Sequence, residues 1–272
     1  MAKVQRYYRN KNMWDAAQSF MDLIYISVVR EFRTTSGGAM MSFAMAFGRP
    51  IVLFLIFFAV YEFFGRSMLI RGDFVMFMMT GIFAYLMHIR AVKNLQGAGG
   101  GAAGMIFYAR ASKLLNLLAS AFHELYLNII AMMVVMATAY FVRGYLEAYQ
   151  PHYMIKPMFF AWASGLGVGM TFAAIAPMAP MFASSFFMIY RRVQMITSGK
   201  AFVANVLPTS LLPFFTWNPL FHCIDQARGF AFINYVPRVT NMSYPIYCTL
   251  ALISFALITQ YAYRAAEDRG LE

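Results

Sequence analysis

Long apolar stretches alternate with short charged ones along almost the whole chain. Near the start the pattern is periodic. Trp14, Ala17, Met21, Ile24, Val28 and Phe32 recur at steps of three and four, while Asp15, Gln18, Asp22 and Arg30 fall on other faces. Such a stripe predicts an amphipathic helix lying in a membrane interface rather than crossing it. Beyond it, apolar runs predict membrane-crossing helices at about 41–64, 74–94, 118–142 and 245–263. Arg49-Pro50 lies inside the first, and Arg90 and Lys93 close the second. Between Pro157 and Tyr190 stand 34 consecutive uncharged residues. One span needs about 20 residues and two need about 40. Pro177 and Pro180 supply a break, since proline cannot continue helical hydrogen bonding. The division gives spans at 157–177 and 181–204, and it forces Arg191 and Arg192 into the second of them, with Lys200 near its end.

Composition agrees. Of 272 residues, 61% are hydrophobic and 12% charged, about half the charge of a soluble domain. The expected fold class is an all-α polytopic membrane protein with six spans. Its parts are a basic tail and interfacial helix (1–38), a six-helix domain (39–266) and a short tail (267–272). The first 38 residues are polar and basic, so no cleavable signal peptide is expected. Twelve Lys/Arg fall on the side of the termini, six in the opposite loops and four within spans. By the positive-inside rule the termini are cytoplasmic. Lys3, Arg6, Arg9 and Lys11 suit anionic headgroups, and no nucleic-acid partner is expected.

Candidate chemistry is sparse. Cys223 and Cys248 form no metal-ligand spacing or disulfide framework. His88, His123, His152 and His222 are scattered and read as packing or interfacial residues, so no metal site is expected. Gly99, Gly101 and Gly104 formally match a dinucleotide-binding turn. That turn needs a preceding strand, and here a membrane helix precedes it. No phosphate-binding G-x-x-x-x-G-K-[ST] occurs. The glycine-rich segment therefore reads as a bend between spans, and no catalytic residue is expected. Arg49, Arg191, Arg192 and Lys200 are cations in spans without well-placed acids, since Glu62 and Glu124 lie near opposite span ends. Charges at such depth normally face water or partners, so the four are candidates for lining a path for an anionic passenger. Snorkelling to an interface is their bland alternative. Ala161, Gly165 and Gly169 form a small-residue packing seam.

One stretch is more specific. Ser198-Gly199, Leu207-Pro208, Trp217-Asn218-Pro219-Leu220, His222, Asp225 and Arg228 follow in order. This series resembles the end of the membrane subunit of ABC-type polysaccharide exporters, closest to the capsule export permeases. Thr80-Gly81, Glu124 and the glycines of 165–169 agree. "YARASKLLN" before the third span and Arg49-Pro50 in the first depart from the family pattern. The resemblance implies a homodimeric inner-membrane permease of the ABC type-2 exporter fold, paired with two copies of a separate ATPase that binds ATP and Mg. It implies export of an anionic, capsule-like polysaccharide, lipid-linked or free, toward periplasmic and outer-membrane partners. Segment 97–113, with Phe107, Tyr108, Arg110 and Lys113, would couple to the ATPase. Segment 205–244, with Trp217, Asn218, Pro219, His222 and Asp225, would gate the outer mouth. Rival readings are an exporter of O-antigen, a teichoic-type polymer or a smaller amphiphile, an ion-coupled transporter, and a non-transporting membrane scaffold.

Overall fold

The computed structural model describes residues 22, 48, 51, 52, 55, 73–100, 113–146 and 148–268. The first expected span, 41–64, lies outside them apart from Gly48, Ile51, Val52 and Leu55, which are helical. The described residues form helices and no strand. Asp73 caps the first, its carboxylate accepting from the Val75 N–H at 2.8 Å. Helix α1 (Phe74–Met78) passes through a π-helical turn (Met79–Phe83) into α2 (Ala84–Gly100). Then follow α3 (Lys113–Arg143), a 3-10 turn (Pro151–Met154), α4 (Ile155–Ile175) and α5 (Pro180–Thr197). Short α6 (Pro213–Thr216), α7 (Pro219–Ala231) and α8 (Ser243–Asp268) complete the chain.

Among the described residues four helices are long and apolar enough to cross a membrane: Phe74–Gly97, Ala121–Phe141, Pro151–Ile175 and Ser243–Tyr263. They match four of the expected spans. The first and third of them are mostly buried and make the hub, while the second and fourth lie largely exposed around it. Small residues set the spacing. A Cβ on Gly165 would stand 2.5 Å from the His88 carbonyl oxygen, and one on Gly169 would stand 2.8 Å from Leu95. The expected seam is therefore the α2–α4 contact. Gly167 serves the opposite face, where a Cβ would stand 3.0 Å from Leu252 of α8.

Two expectations change. The span placed at 181–204 is α5, which ends at Thr197; Gly199 turns the chain with φ 73°. Arg191, Arg192 and Gln194 lower its hydropathy, and α5 is not among the four candidate spans. Its 18 residues, about 27 Å, stand near the lower end of the about 17–25 that cross a bilayer. The glycine run is also not a bend at its start, because α2 continues through Gly97 to Gly100. Residues 101–112 lie outside the described ones.

Candidate functional site: a buried turn seated on one helix

Register along the hub shows where α5 stops. A Cβ on Gly81 would lie 2.4 Å from the Lys200 carbonyl oxygen. Gly81 is eight residues below Asp73, so the turn after α5 sits about 12 Å beneath that end of the hub. Irregular backbone at such depth is tolerated only when protein covers it and satisfies its polar groups. Arg228 of α7 does this. Its Nη1 donates to the carbonyls of Gly199 (2.9 Å) and Phe202, and its Nη2 to that of Lys200 (2.7 Å). The guanidinium lies 4.0 Å over the Phe77 ring and is 1% exposed. The π-helical turn contributes too: Thr80 returns its hydroxyl to the Met76 and Phe77 carbonyls, and Gly81 leaves room for the 199–202 turn.

The other end of α7 is fastened by Asn218. Its Oδ1 caps the helix through the Leu220 N–H at 3.0 Å, and its Nδ2 donates to Gln194 Oε1 at 2.7 Å and Thr197 Oγ1 at 3.0 Å. Gln194 returns Nε2 to Asn218 Oδ1 and to the Tyr190 hydroxyl. Tyr190 in turn stands 2.6 Å from His88 Nε2, while His88 Nδ1 lies 3.0 Å from both the Ala161 carbonyl and Ser164 Oγ. A carbonyl only accepts, so Nδ1 carries the proton and Nε2 accepts from Tyr190. A buried polar chain thus runs from α4 through α2 and α5 to the start of α7.

Between these anchors, Asp225 accepts from the hydroxyls of Tyr235 and Thr240, the latter at 2.7 Å. Burial pushes its carboxyl above the usual range, opposed by those two hydroxyls, Arg228 and His222. Burial lowers the Arg228 guanidinium to about 10, opposed by Asp225 and Tyr235, so it stays charged at neutral pH. Neither residue belongs to a spanning helix. His222 accepts at Nδ1 from the Asn241 N–H (3.1 Å), donates from Nε2 to the Thr216 carbonyl (2.8 Å), and lies against the Tyr244 ring. Tyr244 donates to the Trp217 carbonyl at 2.6 Å, and the Trp217 indole to that of Phe214 at 2.7 Å.

The structure therefore gathers Asn218, Pro219, His222 and Asp225 into the buried seat of α7 and leaves Trp217 half-exposed at its edge. Three of the four candidate cations lie among the described residues, in different settings. Arg191 and Arg192 are exposed on α5. Lys200 is buried in the wall, its Nζ donating to the Met195 carbonyl at 2.9 Å and lying 3.8 Å over the Tyr85 ring; it faces no open path in this structure. Arg49 lies outside the described residues, as do Phe107, Tyr108 and Arg110. Lys113 opens α3. Glu124 is taken up at the far end of the hub, beside Arg90 (3.9 Å) and Asn94 (3.0 Å). Tyr190, Gln194, Tyr235 and Thr240 are site residues that charge and motif spacing pass over. The signal was present in part: Tyr190 and Gln194 are one helical turn apart, on one face of α5.

Fold and site together describe a helical protein, four of whose described helices are long and apolar enough to cross a membrane, with a buried turn seated on α7. No known protein family matches the chain, and no curated protein matches it.

Proposed function

We propose that the chain is the permease subunit of an ATP-driven exporter, carrying an anionic, capsule-like polysaccharide across a bacterial inner membrane. The observation that carries this reading is the adjacent pair Arg191 and Arg192, exposed on a helix that stops at the buried turn held by Arg228. Facing lipid, each would cost about 2.5–3.5 kcal/mol or more. Water and a polyanion are their natural surroundings, and cation-lined pores select anions by the same electrostatics. A second copy facing α5 would enclose such a path. The α7 seat, fastened to the bundle at both ends, suits an outer gate, and residues 97–113 suit the contact with a separate ATPase that binds ATP and Mg. On this reading the termini are cytoplasmic, the α7 end of the bundle faces outward, and the chain itself performs no covalent chemistry.

The test compares polymer inside cells with polymer at the surface, in a deletion strain complemented by wild type or by Arg191→Gln/Arg192→Gln. Trapping of anionic polymer by the deletion and by the membrane-inserted double variant is the expected result. Normal export by the double variant removes the cationic path. Normal surface polymer in the deletion strain removes the cargo.

A further inference from the structure

A concavity lies between α3 and α4. Helices α3 and α4 both pack on α2 but touch each other little. At one end the gap is closed where the Trp162 indole donates to the Ala121 carbonyl at 3.2 Å and Phe122 meets the Trp162 ring. Toward the Pro151–Met154 turn it opens into a groove of about 380 Å³, within the range of small-molecule sites. Its twelve lining residues are all apolar, and seven are methionines. Met79, Met87 and Met158 form a buried floor, while Ile129 and Ile155 are exposed at the rim, so the groove opens sideways. A carbon-lined space of this size stays dry, and close packing disfavours leaving it empty. In a bilayer the material at hand is an alkyl chain. Unbranched, polarizable methionines adapt to a bent one.

We infer that this groove holds one acyl chain of an anionic bilayer phospholipid, with Lys156 and His152 at its rim meeting the phosphate. Lipid tails are as apolar as the groove, so apolar contact alone gives little preference over bulk lipid. Selection has to come from the head group. Lys156 and His152 are both exposed, beside the lining residues Ile155 and Pro151. The inference concerns a resident lipid and holds whatever the cargo is.

The test reconstitutes the full chain in nanodiscs containing phosphatidylglycerol or phosphatidylcholine with a photoactivatable group midway along one acyl chain, and maps labelled residues. Labelling should concentrate on the groove faces of α3 and α4, several-fold higher for phosphatidylglycerol. Lys156→Glu, on the surface, should abolish that preference while leaving the fold unchanged. Met158→Trp should empty the groove of label, and Ile129→Trp at the exposed rim does the same without disturbing the floor. Equal labelling by both lipids, label spread evenly along α8, or labelling unaffected by either tryptophan overturns the inference. So does a cross-link from the groove to a second copy.

Discussion

A single side chain, Asn218, caps α7 and answers both ends of the Gln194 amide. Asn218→Ala removes the cap, worth about 1 kcal/mol, and strands a buried amide, worth about 1–3 kcal/mol more. Asn218→Ser keeps a capping oxygen but is too short to restore the paired amides. It should therefore cost less than alanine by roughly the value of the cap. Thermal unfolding of the detergent-solubilised protein checks the order wild type, serine, alanine. At Arg228 shape matters as much as charge. The planar fork reaches three carbonyls of the turn after α5 at once, whereas a lysine ammonium is a point charge on a flexible stem. Arg228→Lys should consequently destabilise the protein although the charge is kept. An unfolding temperature equal to wild type would refute the role given to the fork.

Among elements, the α2–α4 contact gives the sharpest contrast. Gly165→Ala drives a methyl against the His88 carbonyl oxygen, which is backbone and cannot yield cheaply; a loss of about 1–3 kcal/mol is expected. Gly97→Ala meets nothing within 4 Å and lies within α2. It should be neutral or stabilise by about 0.5–1 kcal/mol, the entropic cost of a helical glycine. Paired thermal melts decide both. These two glycines also show what a sequence reveals. The Ala161, Gly165, Gly169 stripe was legible because small residues at four-residue steps have one strong use in a membrane. Four long helices were legible because apolar length is a direct signal. The end of α5 was not, since the apolar residues Ala201 to Ala204 continue past Ser198-Gly199 and hide the stop. Nor was the polar chain from Ser164 to Asn218. It is assembled from residues up to 102 apart in sequence, such as His88 and Tyr190, and no local spacing encodes that meeting. His222 and Asp225 stood out as a motif, but their partners Asn241, Thr240 and Tyr235 are ordinary loop residues.

For the whole molecule the issue is which exposed surfaces meet water. Phe255 of α8 and Arg192 of α5 are both exposed in the single chain, yet lipid suits one and water the other. In a background with Cys223 and Cys248 replaced, cysteine at 192 should react with a membrane-impermeant thiol reagent in intact vesicles, and cysteine at 255 should not. Equal protection of the two would place the arginine face against lipid or a packed neighbour and remove the aqueous path.

The short reach of α5 has an electrical consequence. Where water enters a recess, the insulating layer thins and the membrane voltage falls over a shorter distance. On the proposed path water reaches the turn after α5, and the remaining distance is crossed by the helix carrying Arg191 and Arg192. Moving one charge through the full voltage is worth about 2.3 kcal/mol per 100 mV. With that end outward, as proposed, an interior-negative membrane would drive each anionic group of a passenger outward along this path. A polymer threaded there would draw part of its motive force from the resting potential, and dissipating that potential would slow its exit even with ATP in full supply.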